Sequence, residues 1–109
     1  MAADDSKLRA RLPTVRLFVL SLKPSGARWS KWPAMQATNA KLAAACRRPG
    51  SRMTFVDVAS PLLGADGLPR PAMYLEDHLH LAAPGYDAWR AVLGPVLREA
   101  TRKPAAAAR

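Results

Sequence analysis

The sequence is short of the features that mark secreted and membrane proteins. Cys46 is its single cysteine, so an internal disulfide and a cysteine-based zinc site are both excluded. Its amino-terminal residues include no apolar signal-peptide core, and no segment approaches the roughly 18 apolar residues of a membrane span. As it stands, the chain is therefore expected to be cytoplasmic, without a membrane segment.

Acidic residues are also scarce. The sequence has eight Asp and Glu residues and seventeen Lys and Arg residues, which gives a net charge of +9. Such a charge favours anionic partners but says nothing about the fold. The cations are scattered, with Arg47, Arg48 and Arg52 as the tightest group, so a solvated basic surface is the simplest interpretation. A basic interaction module that binds nucleic acid or another anionic partner remains the alternative function.

Hydrophobic residues are plentiful by contrast. They make up 50% of the 109 residues, which excludes a disordered composition. A chain of this length is expected to form one domain with one core, here residues 1–102. Residues 103–109 read as a frayed, low-complexity tail.

Two apolar segments are predicted to be strands. Residues 14–22 carry apolar side chains on both faces, as a strand does in a parallel sheet that is covered on both sides. Residues 53–59 are β-branched and aromatic. A helix from about 33 to 47 lies between them, and a strand–helix–strand unit of this length is parallel and right-handed.

Two more helices complete the predicted pattern. A short one spans residues 4–12, and a longer amphipathic one runs from about residue 84 or 85 to Arg102, with a kink expected at Pro95. The order of elements predicts an α/β fold. In such folds functional loops follow the carboxyl ends of strands, the place held here by residues 23–32 and 60–83.

Asp77 and His80 lie in the second of these loops. In a turn, this spacing sets a carboxylate beside an imidazole, fixes the tautomer and leaves the other ring nitrogen to accept a proton from a hydroxyl. Alone, the pattern is more often a surface turn. Asp77, His78 and His80 are also candidate metal ligands, an alternative weakened because residues 78 and 80 point away from residue 77 in an extended segment.

The flanking residues make this segment resemble the final sequence block of the GDSL or SGNH ester hydrolases, D-G-L-H-L-N-x-x-G-Y-x-x-W. Residues 77–89 read DHLHLAAPGYDAW. Upstream, residues 20–29, LSLKPSGARW, are similar to the bacterial segment I-S-I-K-P-S-x-A-R-W, and residues 55–71 to the family's last strand and the loop after it. The resemblance covers residues 14–98. It implies a partial three-layer α/β/α, flavodoxin-like fold with two parallel strands and flanking helices.

The resemblance also implies roles for single residues. His80 corresponds to the general base of serine ester hydrolysis and Asp77 to the carboxylate that orients it, with a small ester as substrate and with no cofactor or metal. Two departures stand out. His78 replaces a usual Gly and Ala82 a usual Asn, and either change is expected to loosen the geometry.

The family's nucleophile block, G-D-S, does not occur in this sequence, and neither does the G-x-N block that supplies an oxyanion donor. Ser21 and Ser25 lie near a strand end and are interpreted as structural. The chain is therefore predicted to be the carboxyl-terminal part of such a hydrolase, inactive alone, because losing a triad nucleophile costs on the order of 10⁶ in turnover.

The remaining expectations concern surfaces. Two strands leave an open apolar edge, which predicts self-association. Trp29, Trp32 and Tyr74 sit in the two loops, where packing is favoured over a substrate-lining role. Lys23 and Arg28 could bind an anionic substrate but are interpreted as solvated loop cations.

Overall fold

A computed structural model describes the backbone of residues 16–107 and the side chains of residues 16–102. The main elements follow in chain order: strand β1 (Leu17–Leu20), helix α1 (Trp32–Cys46), strand β2 (Met53–Val56) and helix α2 (Ala83–Ala107). This order confirms the predicted α/β class. The helix predicted over residues 4–12 lies outside the described residues.

The two strands form a parallel sheet. Leu17 lies opposite Met53 and Leu20 opposite Val56. The Leu17 N–H donates to the carbonyl of Arg52 at 3.0 Å, which shows which residues of β1 direct their backbone groups toward β2. The predicted parallel strand–helix–strand unit is therefore present.

One edge of β1 has no partner within residues 16–107, where the sheet has two strands. Alternate residues of a strand direct their backbone groups to opposite edges. Because Leu17 and Ser21 both donate toward the β2 side, Phe18 and Leu20 present their N–H and C=O groups at the open edge. All four side chains of β1 are only partly buried, so this strand is incompletely covered.

Both strands end earlier than predicted, because side chains bond the backbone groups that follow them. The Leu22 N–H donates to Asn39 Oδ1 at 2.7 Å, and Asn39 Nδ2 donates back to the Leu22 carbonyl at 3.1 Å. After β2, the Val58 N–H donates to Ser21 Oγ at 3.0 Å. These bonds hold the segments that follow the two strands.

The helices lie on opposite faces of the sheet. On one face Phe55 shares a groove with Trp32 and Asn39 of α1. On the other face Phe18 shares a groove with Val96 of α2. The described residues thus form a partial three-layer α/β/α arrangement.

Helix α2 is longer than predicted. It continues to Ala107 instead of ending at Arg102, and Pro95 lies within this span. Proline removes one backbone hydrogen bond, a loss that the rest of a long helix outweighs. In the described part of the chain, neither helix combines the length and the apolar composition needed to cross a bilayer.

A cluster of buried hydrophobic side chains is formed by the second loop itself. Leu62, Met73, Tyr74 and Leu81 form it, and Trp89 of α2 packs against it. Two short 3-10 turns, at residues 60–62 and 71–73, bring the loop into this cluster. Residues 60–83 are therefore a packed segment that can hold side chains in fixed positions.

Candidate active site

Asp77 and His80 sit in a tight turn whose two ends are fixed in the core. Tyr74 and Leu81, both buried, form an isolated antiparallel bridge at its base. Within the turn, the Leu75 N–H donates to the His80 carbonyl at 2.8 Å. The core therefore positions the turn, while its tip stays at the surface.

The predicted pair is in direct contact. Asp77 Oδ2 and His80 Nδ1 are 2.5 Å apart. Asp77 Oδ1 accepts two backbone hydrogen bonds, from the N–H of Leu79 at 2.9 Å and of His80 at 3.0 Å. The carboxylate thus has three donors, one of which is the imidazole.

These donors stabilise the charged carboxylate. The hydrogen bond from the His80 ring, followed by the backbone N–H groups of Leu79 and His80, lowers the pKa of Asp77 to about 2. With Nδ1 bound to the carboxylate, the other ring nitrogen, Nε2, remains available for proton transfer. The side chains of His80 and Asp77 are 69% and 46% exposed, so a second group can reach the imidazole.

His78 adopts a left-handed backbone conformation, with φ of 56°. Glycine adopts this conformation without strain, which accounts for the glycine usual in the resembling sequences. The His78 side chain lies against Gly26, which has no side chain to obstruct it. A Cβ added at residue 26 would lie only 3.3 Å from the His78 Cβ. The Asp77–His80 hydrogen bond is formed although His78 stands at this position.

The first loop packs against this turn. The Tyr74 hydroxyl donates to the Pro24 carbonyl at 2.6 Å, and the Ala27 N–H donates to the His78 carbonyl at 3.1 Å. Residues 23–28 and 74–81, which carry two of the resembling sequence blocks, therefore lie side by side. Their contact could not be inferred from their 50-residue separation.

Lys23 is the residue whose place the sequence did not reveal. Its Nζ donates to the Leu79 carbonyl at 2.6 Å and lies 5.8 Å from the centre of the Tyr74 ring. Burial lowers the pKa of Lys23, and the nearby Arg28 adds to this effect, whereas Asp77 opposes it. The interpretation of Lys23 as a solvated cation is therefore corrected, because it is partly buried and bonded to the turn. Arg28 is exposed.

Ser21 and Ser25 have structural roles in the described chain. Ser21 is buried and its Oγ accepts from the Val58 N–H. Ser25 is also buried, and its Oγ accepts from the Arg28 N–H at 3.2 Å. Neither hydroxyl is hydrogen-bonded to the imidazole of His80, whose ring contact in residues 16–102 is with Asp77.

The three aromatic residues predicted to lie in the loops make packing contacts, and Trp32 lies at the start of α1. Trp29 and Trp32 stack with ring centroids 6.3 Å apart, and Trp32 is buried. Trp29 also lines a cavity of about 300 Å³, together with Tyr74 and His78. The cavity opens beside the turn that carries His80. Across the described residues, no three His, Cys, Asp or Glu side chains are grouped as metal ligands.

No family model and no curated protein matches the chain. Solved structures do resemble it. A protein from Streptococcus pneumoniae, provisionally described as a platelet activating factor, aligns with a TM-score of 0.73 and 21% identity over 87% of this chain and 47% of its own. A provisionally assigned acylhydrolase from Bacteroides fragilis aligns with a TM-score of 0.70 and 20% identity over 91% of this chain and 49% of its own.

At this level of identity the likeness shows the fold alone. The chain spans about half the length of each structure that it matches. The predicted fold is confirmed: two parallel strands with flanking helices, as a partial flavodoxin-like α/β arrangement.

Proposed function

We propose that this chain carries the acid–base half of an ester-hydrolase active site, with His80 as general base and Asp77 as the residue that orients it. The observation that supports this most directly is the 2.5 Å contact of His80 Nδ1 with a carboxylate that two backbone N–H groups already hold. A carboxylate fixed in this way sets the tautomer of the imidazole and stabilises the imidazolium that forms during reaction.

The chemistry follows from that arrangement. His80 Nε2 removes the proton from a hydroxyl as its oxygen attacks the carbonyl carbon of an ester. The imidazolium then gives the proton to the departing alkoxide, which leaves as an alcohol while the acyl group stays bonded to the attacking oxygen as an acyl-enzyme. A water molecule, deprotonated by the same nitrogen, releases the carboxylic acid and regenerates the hydroxyl.

The hydroxyl is supplied by a segment outside these 109 residues. One support is the sequence, which has no G-D-S block. Another is that the hydroxyls of Ser21 and Ser25, near the end of the sheet, accept hydrogen bonds from backbone N–H groups. The isolated chain is consequently inactive: removing a triad nucleophile costs on the order of 10⁶ in turnover. The matched acylhydrolase supports an acyl ester as substrate.

An esterase assay on the isolated chain with p-nitrophenyl acetate and butyrate tests the first part of this proposal. The expected result is no turnover above that of an equal concentration of free imidazole, with no difference between the wild type and His80→Ala. Clear turnover that His80→Ala abolishes would show that the chain already holds a nucleophile.

The second part is tested with a longer chain. If the reading frame upstream of codon 1 encodes a G-D-S block, the extended protein is expected to hydrolyse the same esters. His80→Ala should then lower kcat by about 10⁶, because losing the histidine of a triad costs about as much as losing its nucleophile. An extended protein that is active and insensitive to His80→Ala would refute the assigned role.

A basic interaction module is the second candidate. It is favoured by the net charge of +9 and by the exposed Arg47 and Arg48 at the end of α1. Binding to duplex DNA that weakens steeply with salt would support it, because released counterions give such binding a strong salt dependence. Binding too weak to detect at low salt would exclude it.

A further inference from the structure

The peptide group between Leu79 and His80 is held at both ends. Its carbonyl oxygen accepts a hydrogen bond from Lys23 Nζ at 2.6 Å. Its N–H donates to Asp77 Oδ1 at 3.0 Å. The described chain has no cis peptide bond, and in a planar trans peptide the C=O and N–H point in opposite directions. Rotation of this one group would therefore break both bonds together.

We propose that Lys23 is a positioning residue for the Asp77–His80 pair, acting through the Leu79–His80 peptide. The inference rests on the proposed function in taking that pair as the acid and base. It adds a residue, 54 positions before Asp77, that touches neither the imidazole nor the carboxylate in any hydrogen bond of the described chain.

The geometry explains how a bond to a backbone oxygen reaches the imidazole. Asp77 Oδ1 accepts hydrogen bonds from the N–H groups of Leu79 and His80, and Oδ2 is hydrogen-bonded to the His80 ring. If the Leu79–His80 peptide turned, the carboxylate would lose the His80 N–H as a donor. The neighbouring Leu79 N–H would be displaced as well. Lys23 prevents that turn by holding the oxygen end of the peptide.

The positive charge contributes beyond simple anchoring. A hydrogen bond from an ammonium is roughly twice as strong as one between neutral groups. It also polarises the peptide it contacts, which makes the N–H at the far end a better donor to Asp77. Lys23, the Leu79–His80 peptide, Asp77 and the imidazole thus form one continuous chain of hydrogen bonds.

The surroundings hold Lys23 in this place. Its Nζ lies 5.8 Å from the centre of the Tyr74 ring, and the next residue, Pro24, is buried and bonded through its carbonyl to the Tyr74 hydroxyl. The charged groups that face the ammonium are Arg28 on its own loop and Asp77 on the opposite one. A partly desolvated cation is costly, and the bond to Leu79 and the ring contact offset that cost.

NMR of the 109-residue chain tests the proposal without any need for activity. The side-chain carboxyl carbon of Asp77 reports its pKa, and the ring nitrogens of His80 report the tautomer. In Lys23→Met the pKa of Asp77 is expected to rise from about 2 toward its ordinary value of 3.8, and the single tautomer is expected to become a mixture. Lys23→Arg, which keeps the charge and the donors, should restore the wild-type behaviour.

Lys41→Met, at an exposed lysine of α1, is the matched control and should change neither signal. A folded Lys23→Met chain with an unchanged Asp77 pKa and an unchanged tautomer would overturn the proposal. If Lys23→Met does not fold, Lys23→Gln decides. This neutral donor polarises the peptide less, so the Asp77 pKa should still rise, and a wild-type value would overturn the proposal.

The two proposals can fail separately. The NMR readouts concern only groups of the 109-residue chain and would be unaffected if the extended protein proved insensitive to His80→Ala. Conversely, an unchanged Asp77 in Lys23→Met would leave the role of His80 untouched.

Discussion

The Tyr74 hydroxyl donates a 2.6 Å hydrogen bond to the carbonyl of Pro24, across 50 residues of sequence. Both residues are buried. The bond joins the loop that follows β1 to the turn that holds Asp77 and His80. The two loops therefore behave as one unit, and disturbing one is expected to disturb the other.

Tyr74→Phe is expected to lower the free energy of unfolding by about 1–3 kcal/mol, because it leaves the buried Pro24 carbonyl without a donor. Urea unfolding followed by circular dichroism measures the change. Tyr86→Phe, at a residue that is 45% exposed, is the control and should stay within about 0.5 kcal/mol of wild type. Equal effects of the two substitutions would argue against a special role for the Tyr74 bond.

The stability of the chain at alkaline pH should report the ionisation of Tyr74. Burial raises the pKa of Tyr74 from its ordinary value of 10.0 to about 12. Since the neutral phenol is favoured in the folded state, its contribution to stability is complete below pH 10 and is lost as the pH rises to 12. The difference in stability between wild type and Tyr74→Phe should therefore shrink over that interval. A constant difference from pH 9 to 12 would contradict the burial of the phenol.

Gly85→Ala is expected to destabilise the chain by about 1–3 kcal/mol or more, as overpacking does. The added Cβ would lie 2.3 Å from the Met73 carbonyl oxygen and 2.9 Å from Leu81 Cδ2. Gly94→Ala, in the same helix, is the matched control. Its Cβ would meet only the mobile end of Arg98 at 3.2 Å, so helix propensity should raise stability by up to about 1 kcal/mol. Thermal unfolding of both variants checks the order.

Ala82→Asn is expected to raise stability by about 1 kcal/mol. The Ala82 carbonyl accepts the Tyr86 N–H at 3.1 Å, which makes residue 82 the amino-terminal cap of α2. An asparagine there can accept a hydrogen bond from one of the free N–H groups of the first turn. Ala83→Asn, one residue further on, cannot act as this cap and should lose a few tenths of a kcal/mol. Similar changes in the two variants would exclude capping.

The open edge of β1 is expected to cause self-association. Sedimentation velocity should show oligomers of the wild-type chain at micromolar concentrations. Leu20→Pro should shift the chain toward monomer, because it removes an N–H that points to the open edge and proline is tolerated on edge strands. Val19→Pro removes an N–H that points to β2 and should unfold the sheet instead. A wild-type monomer at all concentrations would exclude association through this edge.

Much of the fold could be predicted from local pattern. Apolar residues on both faces and β-branched and aromatic residues gave the positions of β1 and β2, and the helical periodicity gave α1 and α2, since these signals depend on neighbours in sequence. The Asp77–His80 pair could also be predicted, because a three-residue spacing in a turn brings the two side chains together.

Other features have no local signature. The strands end early because Asn39 bonds Leu22 across 17 residues and Ser21 bonds Val58 across 37. Lys23 bonds the Leu79 carbonyl across 56 residues. Because nothing near Lys23 in the sequence indicates this contact, a loop lysine is interpreted from the sequence alone as a solvated cation. Bonds from side chains to distant backbone groups depend on the assembled fold, and a short sequence window does not encode them.

The amide of Asn39 occupies both backbone groups of Leu22, and this limits how the sheet can grow. A strand added to β1 can bond Phe18 and Leu20 but finds position 22 already taken, so it must leave the sheet there. Asn39 thus limits the length over which a further strand could pair with this edge of β1.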